Sequence, residues 1–418
     1  MKETRNLEFK EQETNTFLKT VSAFANYGGG KIVFGIADDG SSKPLEGDLQ
    51  KVCLDIENRI NDSISPQVDF SLEADVRKGT VELVVAPGQA RPYLYKSKAY
   101  KRNDTSTIEV DALELTRLVL EGKNLKFESL PSDKQELTFD YLEKKFRDII
   151  GVEKIDIDVL KTLSLYSDKE GYTNAAFILS DQNAFSGIDM TQFGDTISVI
   201  KNRRCFGNSS VLQVFDEAVA FFRDCYQYEV ISGIERKTID MIPEPAFREA
   251  IANALIHRVW DVDANIRVMM FEDHIQVISP GGLPSGLTEK EYLEGRISVL
   301  RNPTLASVFY RLKMVEIFGT GVLRIKECYN KSVRKPVFDI SDNAISVELP
   351  LVVSDLEISG DERIVYNTLC KTMPKSISEI TAAVPFGKSK VGELLNSLVT
   401  RGYVQIVGNG RGTKYKLK

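Results

Sequence analysis

The sequence predicts an α+β, multi-domain protein, and three observations carry this prediction. The chain has 418 residues. A single domain averages roughly 150 residues, so this length predicts several hydrophobic cores. Apolar residues at helical spacing alternate with strand-like stretches along most of the chain. The charge is uneven: residues 361–418 hold ten Lys or Arg and four Asp or Glu, whereas the remainder holds 44 and 56. A basic segment on an acidic body indicates contact with nucleic acid.

Composition and cysteine usage exclude several classes of protein. With 42% hydrophobic and 27% charged residues, the chain is neither disordered nor fibrous. No apolar stretch approaches the roughly eighteen residues of a membrane span, and residues 1–5 lack the apolar core of a secretory signal. The five cysteines are scattered and there are two histidines, which excludes a His-rich metal centre and argues against a disulfide framework. We therefore expect a cytoplasmic protein with no membrane partner.

Two boundaries divide the chain. Residues 122–134 are polar and contain Pro131, which predicts a linker. A second boundary follows the apolar, strand-like run 345–349. The predicted domains are 1–123, 135–353 and 360–418.

The first predicted domain mixes helices and strands. Apolar residues in 14–26 have helical spacing, and the triple glycine 28–30 ends this helix. Residues 31–37 alternate between apolar and polar, which predicts a strand that ends in a turn at 38–40.

Three acidic residues of this domain form the first candidate site, Glu3, Glu8 and Asp39. Alternation over residues 7–10 places Glu8 on the outward side of a strand. Three carboxylates that meet repel one another unless a hard cation such as Mg²⁺ or Mn²⁺ lies between them, and such a cation can activate water against a phosphodiester. The alternative is three solvated surface acids, because charged side chains are mostly exposed.

The motifs around these acids resemble the Schlafen AlbA-type domain, an α/β domain, over about the first 120 residues. The matching stretches are 3–10, 22–30 and 34–40. In the nucleases of this family, the positions of Glu3, Glu8 and Asp39 hold catalytic acids. The resemblance therefore implies metal-dependent cleavage of RNA or single-stranded DNA, although many bacterial members are described only as DNA-binding.

A basic, aromatic segment follows at 91–102. It holds three tyrosines, no acidic residue and five basic residues. The candidate nucleic-acid ligands are Lys96, Lys98, Lys101 and Arg102. Cations bind phosphates and aromatic faces stack on unpaired bases, which is what a single-stranded nucleic-acid groove needs. The alternative is an edge strand defended by lysines, with half-buried tyrosines.

The central domain carries a predicted helix over 247–258. Glu249, Asn253 and His257 recur every four residues and therefore share one face. A carboxylate to orient water, an amide oxygen for Mg²⁺ and a donor toward phosphate are the parts of a metal–phosphate site. The alternative is an ordinary polar stripe. The chain has no Walker A motif, since the sequence around 387–389 lacks the leading glycine, which argues against a motor helicase.

Two glycine-rich segments follow this helix, at 279–286 and 318–322. Glycine permits close backbone approach and lets amide groups bind an anion. The second segment leads directly into a helix, which places a helix N-terminus at the phosphate position. The candidate nucleotide-binding residues in these segments are Gly281, Gly282, Gly319, Thr320 and Gly321.

The order of these segments resembles the GHKL (Bergerat-type) ATP-binding fold, an α/β sandwich, in a divergent form that is fused to Schlafen AlbA-type domains and often called helicase-related. The resemblance implies ATP with Mg²⁺ as cofactor, with Glu249 as catalytic carboxylate and Asn253 as Mg²⁺ ligand. By position, Gly281 and Gly282 line the nucleotide. Ser279 stands where this fold usually has an Asp that reads the adenine amino group, so we expect nucleotide binding with at most weak ATPase activity.

Residues 360–418 predict three helices and a β-hairpin, which together resemble a winged helix-turn-helix. The resemblance implies contact with double-stranded DNA through the start of the third helix and the wing tip. The candidate contacts are Lys388, Ser389, Lys390 and Arg411. We also expect a homodimer or a higher oligomer, because two-fold dimers match palindromic half-sites. The alternative is a winged helix used for protein contact.

Taken together, the sequence predicts a nucleotide-binding and DNA-binding transcriptional regulator whose GHKL-like domain modulates DNA contact. The first alternative is a Mg²⁺- or Mn²⁺-dependent Schlafen-like nuclease that acts in defence. The second is a structural scaffold with an inactive nucleotide fold.

Overall fold

The computed structural model describes residues 2–232, 235–284, 286–316, 318–352, 358–371, 373–408 and 410–418, with the backbone alone at 230–232, 235–237 and 411. Helices and strands are mixed throughout, which confirms the α+β fold class. The chain divides into two compact units, Met1–Lys126 and Phe127–Lys418. Within the described residues, no helix is long and apolar enough to cross a lipid bilayer.

The first unit is built from short strands and three helices. Its strands are β1 (Leu7–Lys10), β2 (Gly30–Phe34), β3 (Ile64–Ser65), β4 (Phe70–Asp75), β5 (Thr80–Val85), β6 (Leu94–Tyr95), β7 (Tyr100–Asn103) and β8 (Ser106–Glu109). Its helices are α1 (Phe17–Asn26), α2 (Leu49–Ser63) and α3 (Ala112–Gly122). The predicted helix and strand near the N-terminus are confirmed, and the strand ends earlier than expected, at Phe34.

A four-stranded sheet forms the centre of this unit, in the order β1-β2-β5-β4. β1 and β2 are parallel, and the other neighbours are antiparallel. The apolar face of α1 packs on the sheet through Phe17 and Val21, both fully buried. The Phe17 and Phe34 rings meet edge to face with centroids 5.3 Å apart. Burial of each such side chain stabilises the fold by roughly 1.5–3 kcal/mol.

The second unit begins with a larger α/β region. Its helices are α4 (Asp140–Ile150), α5 (Ile157–Thr162), α6 (Asn174–Leu179), α7 (Val211–Tyr226), α8 (Glu244–His257), α9 (Glu289–Glu294), α10 (Pro303–Arg311) and α11 (Gly321–Cys328). Its strands are β9 (Tyr166–Ser167), β10 (Gly171–Tyr172), β11 (Ile188–Phe193), β12 (Ile200–Phe206), β13 (Gln227–Ser232), β14 (Glu235–Asp240), β15 (Ile266–Met270), β16 (His274–Pro280), β17 (Val337–Ile340) and β18 (Ala344–Pro350).

A six-stranded sheet in the order β12-β11-β15-β16-β18-β17 organises this region. Only the β11–β15 neighbours are parallel among these described strands. One face of β16 is buried through Ile275 and Val277, and α7 and α8 pack on the sheet. α8 is buried on most of its surface, with Phe247 and Ile251 fully enclosed. The sheet and helices therefore form the predicted α/β sandwich.

The C-terminal module follows in the same unit. It contains α12 (Gly360–Tyr366), α13 (Ile377–Ala382), α14 (Lys388–Thr400), β19 (Lys375–Ser376), β20 (Val404–Val407) and β21 (Lys414–Leu417). Ser376 and Glu379 form a capping box at the start of α13. Leu395 and Leu398 are fully buried, and Val333 of the preceding region belongs to the same core. The winged helix therefore packs onto the α/β region.

Candidate nucleotide site and DNA-binding module

The Glu8 carboxylate lies inside the first unit, so the predicted outward orientation is wrong. Glu8 is 4% exposed. One of its oxygens accepts a hydrogen bond from the Thr20 hydroxyl at 2.8 Å and pairs with the Arg102 guanidinium. The other oxygen is 2.6 Å from the Lys10 ammonium. Two cations and a hydroxyl replace the water that a buried carboxylate loses, which is why this position tolerates a charge.

The other two N-terminal acids have separate partners. Glu3 accepts a hydrogen bond from the Phe9 amide at 2.8 Å. Asp39 is exposed and accepts one from the Ser41 amide at 2.8 Å, and hydrogen bonding to Ser41 lowers the pKa of Asp39. No three His, Cys, Asp or Glu side chains in the described part of the chain are grouped so as to hold a metal ion. The predicted meeting of Glu3, Glu8 and Asp39 around Mg²⁺ or Mn²⁺ is therefore not seen.

The tyrosines of the basic segment are buried. Tyr93, Tyr95 and Tyr100 are 5%, 5% and 7% exposed, so their faces are not available to stack on unpaired bases. Arg102 is also buried, because its guanidinium pairs with Glu8. These four side chains belong to the interior of the unit. The aromatic contacts and one of the four cations predicted for a single-stranded nucleic-acid groove are therefore not available at the surface.

Three lysines of the same segment stay at the surface, where two of them meet carboxylates. Lys96 lies over the Tyr95 ring, 5.3 Å from its centroid. Lys98 and Lys101 contact Glu109 and Glu114 at 2.7 and 2.5 Å. The neighbouring carboxylates offset the lysine charges, so this face attracts phosphate less than the sequence indicates.

Glu249, Asn253 and His257 share one face of α8, as their spacing predicts. The Asn253 amide nitrogen donates to a Glu249 oxygen at 3.1 Å. Glu249 is 9% exposed, and burial raises the pKa of its carboxyl, against the opposing charge of Arg324. Because Asn253 uses its N–H in this bond, its carbonyl oxygen is the atom available to a cation. A carboxylate of raised pKa beside an amide oxygen is suited to orient water near a metal ion.

Gly321 sets how closely α11 approaches this face. A Cβ atom at position 321 would lie 2.5 Å from both Asn253 Nδ2 and Glu249 Oε1, so a larger residue there would force these two side chains to shift. Gly321 begins α11, and the Thr320 side chain makes no capping hydrogen bond there. The N–H groups of the first turn of α11 therefore end beside Asn253, and helix N-termini attract anions.

A cleft of about 830 Å³, its open mouth included, lies along α8, β16, β18 and the two glycine segments. Its lining combines apolar strand residues with glycines and a few polar side chains, as small-molecule sites usually do. The predicted residues that line it are Asn253, His257, Gly281, Gly282, Gly319 and Gly321. Glu249 lies behind Asn253, and Thr320 lies between two lining glycines. An apolar wall that sequence reasoning missed includes Val277, Ile345 and Val347; alternation marks these residues as strand core and gives no sign of a cavity.

The end of β16 enters the cleft at Ser279, and Gly281 follows the strand. Gly281 has φ +103°, and a Cβ atom there would lie 2.2 Å from Val259 Cγ2, so the turn requires glycine. The Ser279 hydroxyl is buried and donates to the Ala254 carbonyl at 3.0 Å. Because the hydroxyl proton is used in this bond to α8, the lone pairs of the oxygen are what Ser279 can offer to a ligand. Ser279 can therefore accept one hydrogen bond but offers no charge.

His257 presents a neutral imidazole to the same cleft. Burial lowers the pKa of His257 to about 4, and the positive charge of Arg301 adds to this effect. A neutral ring both donates and accepts a hydrogen bond. His257 is therefore a polar contact for a ligand rather than a cation for its phosphates.

ATP with Mg²⁺ fits these residues. The apolar wall suits a base, while the glycines and the N-terminus of α11 suit phosphates. The Asn253 carbonyl would supply a protein oxygen to Mg²⁺, whose other ligands would be phosphates and water, and Glu249, which is hydrogen-bonded to Asn253, would orient water. The arrangement therefore has a place for each part of the nucleotide.

The winged helix displays the predicted contact residues of its third helix. Lys388, Ser389 and Lys390 begin α14 and are exposed, whereas the opposite side of the helix is buried. The Lys390 ammonium is 3.5 Å from an Asp361 oxygen. An exposed, basic first turn is what a recognition helix presents to the major groove. Arg411 lies outside the side chains that the structure describes.

Asp273 is a buried carboxylate that sequence reasoning missed. It is 1% exposed and accepts hydrogen bonds from the Lys371 amide at 3.0 Å and from Arg334 at 3.3 Å, while its other oxygen is 2.7 Å from His274 Nδ1. Burial alone would raise the pKa of Asp273, but the His274 bond, the Lys371 amide and the Arg334 charge hold it at about 2. Asp273 thus ties the C-terminal module to the central sheet.

Three segments of the chain match known family models. Residues 3–111 match the model described as "Schlafen, AlbA_2". Residues 263–349 match "Putative ATP-dependent DNA helicase recG C-terminal", an ATPase-like model. Residues 353–418 match "Sugar-specific transcriptional regulator TrmB". These matches confirm the predicted succession of a Schlafen AlbA-type, a GHKL-like and a winged-helix segment, and the central match begins after α8.

Comparison with whole proteins adds one solved structure. No curated protein gives a significant match. The chain is similar to the DIP2311 protein from Corynebacterium diphtheriae, with 19% identity, 99% of this chain and 92% of that chain covered, and a TM-score of 0.49.

Proposed function

We propose that the protein is a transcriptional regulator that binds ATP with Mg²⁺ in the central cleft and double-stranded DNA through its winged helix. Nucleotide occupancy alters the DNA contact. The ATPase-like and TrmB-type matches support the two binding activities, and the exposed first turn of α14 supports DNA as the partner. Five unpaired cysteines suit the reducing cytoplasm.

The course of β16 is the observation that supports coupling between the two activities. β16 begins at His274, next to Asp273, which binds the C-terminal module. It ends at Pro280, next to the cleft glycines Gly281 and Gly282. One strand therefore has the winged-helix contact at its start and the nucleotide cleft at its end.

β18 offers a second connection between the same two places. Ile345 and Val347 of β18 line the cleft. The last residue of the strand, Pro350, pairs with His274, and the Leu351 amide donates to the Asp273 carbonyl at 2.9 Å. A ligand that displaces the cleft end of either strand would thus act on the segment that carries Asp273.

In this proposal each part of the cleft has one task. The apolar wall of β16 and β18 holds the base, and the N-terminus of α11 holds the phosphates. Asn253 binds the Mg²⁺ ion, which neutralises phosphate charge, and Glu249 orients water. We expect slow hydrolysis, because Ser279 has no charge with which to bind the adenine amino group, and the nucleotide is therefore held less firmly.

Fluorescence anisotropy of a labelled random-sequence duplex tests the coupling. The full chain is titrated onto the duplex with no nucleotide, with ATP and Mg²⁺, and with ATP and EDTA. We expect the affinity for DNA to differ between the first two conditions and the difference to disappear in Asn253→Ala. Equal affinities with and without ATP, in a protein that calorimetry shows to bind ATP, would refute the coupling.

The same titration measures stoichiometry. We infer two chains per palindromic site, because a two-fold dimer places two recognition helices on equivalent half-sites. Light scattering of the free and the DNA-bound protein distinguishes a preformed dimer from one assembled on DNA, and one chain per site would contradict the inference.

A further inference from the structure

Arg324 and Glu316 stand on either side of the second glycine segment. Glu316 precedes Gly319, and Arg324 follows Gly321 by three residues. Arg324 Nη2 is 3.5 Å from Glu316 Oε1. An ion pair thus joins the two flanks of the segment that lines the cleft.

Arg324 lies in the first turn of α11, three residues after Gly321. Helix side chains lean toward the N-terminus, and residues three apart share a face. Gly321, three residues earlier, is the residue that packs against Glu249 and Asn253. Arg324 therefore adds a positive charge to the first turn of α11, on the helix face that carries Gly321.

The Arg324–Glu316 pair is easily exchanged for another partner. The two side chains are 44% and 41% exposed, and ion pairs between exposed groups contribute little to stability. A guanidinium binds phosphate through two parallel hydrogen bonds, which are stronger and more directional than this contact. A phosphate that reaches Arg324 can thus displace Glu316.

We propose that Arg324 binds the outermost phosphate of the nucleotide and that Glu316 holds Arg324 while the cleft has no nucleotide. The inference rests on the proposed function and names the ligand class: a nucleoside triphosphate in preference to a diphosphate or monophosphate. The helix N-terminus and the glycines hold the inner phosphates, and the arginine recognises the third.

Calorimetric titration with ATP, ADP and AMP, each with Mg²⁺, tests this assignment on the full chain. Arg324→Ala should weaken ATP binding by about tenfold or more and leave AMP binding unchanged. Arg324→Lys, which keeps the charge and loses the paired hydrogen bonds, should give an intermediate loss. Glu316→Gln should tighten ATP binding severalfold at low salt, because the competing carboxylate is gone.

Arg311→Ala is the matched control, since Arg311 is an exposed arginine at the end of α10, and it should bind all three nucleotides as the unchanged protein does. An unchanged ratio of ATP to AMP affinity in Arg324→Ala overturns the assignment, provided circular dichroism shows a folded variant. If that variant is unfolded, the same ratio in Arg324→Lys decides. Weaker ATP binding in Glu316→Gln overturns the role of Glu316. Failure of the unchanged protein to bind ATP would refute the proposed function itself, a different result.

Discussion

The Glu8 carboxylate and the Arg102 guanidinium form a buried ion pair that connects β1 to β7, with side chains 6% and 4% exposed. The two residues are 94 positions apart in the sequence. Removal of one partner from such a pair leaves a charge in the interior without compensation. The pair is therefore part of what holds the first unit together.

Glu8→Ala should lower the free energy of unfolding of the first unit by about 3 kcal/mol, because Arg102 and Lys10 lose their shared acceptor. Hydrogen exchange of the amides of β1 and β7 in the full chain measures this loss. Replacement of both partners, Glu8→Leu with Arg102→Met, should recover part of it.

Lys98→Ala is the control for that experiment, since its partner Glu109 is half exposed and exposed pairs contribute at most about 1 kcal/mol. If Glu8→Ala leaves exchange rates unchanged but abolishes a nuclease activity, the structural role assigned to Glu8 is wrong and the nuclease alternative gains support.

Gly321→Ala should weaken ATP binding by about tenfold or more, a change of about 1.4 kcal/mol. The added methyl group would lie 2.5 Å from the Glu249 and Asn253 side chains and would push them out of position. Equilibrium dialysis with ATP and Mg²⁺ measures the effect.

Gly360→Ala provides the matched control, because Gly360 is also the first residue of a helix and a Cβ atom there meets nothing within 4 Å. Equal ATP affinities in the two variants would show that the contact of α11 with α8 does not shape the site.

The double substitution Lys388→Ala and Lys390→Ala should weaken binding to any duplex and reduce the slope of log affinity against log salt by about 2. Both lysines lie in the exposed first turn of α14. Anisotropy at several salt concentrations gives the slope. Lys144→Ala with Lys154→Ala removes the same charge from exposed sites elsewhere, and an equal effect there would contradict specific contact by the recognition helix.

Asp273→Asn should destabilise the contact between the C-terminal module and the central sheet by about 2 kcal/mol near neutral pH. The pKa of Asp273 is held at about 2, below its ordinary 3.8. A carboxyl with a lowered pKa contributes its full stability above the ordinary value and loses it as pH falls to the lowered one. The difference between the variant and the unchanged protein should therefore shrink between pH 3.8 and 2.

Urea unfolding at several pH values, followed by the fluorescence of a label on the winged helix, gives this difference. His274→Gln serves as a companion variant, because it removes one of the groups that lower the pKa of Asp273. A difference that stays constant down to pH 2 would show that Asp273 is not the ionised acceptor of this contact.

Features set by local rules were predictable from the sequence. The four-residue spacing of Glu249, Asn253 and His257 placed them on one helix face, and the structure confirms this face. The capping pair Ser376 and Glu379 follows from the same kind of rule, since both partners lie within one helical turn. These inferences need only the geometry of a helix.

Features that depend on distant partners were not predictable. Alternation along β1 indicates which residues share a side, but the burial of Glu8 depends on Arg102. Asp273 meets Lys371 across 98 positions of the sequence, and no spacing rule connects them. The apolar wall of the cleft was not predictable either, because the alternation at Val277 and Val347 is the same as that of any buried strand.

The central strand β16 is hydrogen-bonded on both edges, to β15 and to β18. A strand held in this way cannot stretch or fray without the loss of several backbone bonds. If the end of β16 at the cleft moves, we therefore expect the whole strand to move as a rigid body. Under the proposed coupling, the winged helix would then have two discrete positions, one with and one without nucleotide. DNA affinity would have two corresponding values and no continuous range between them.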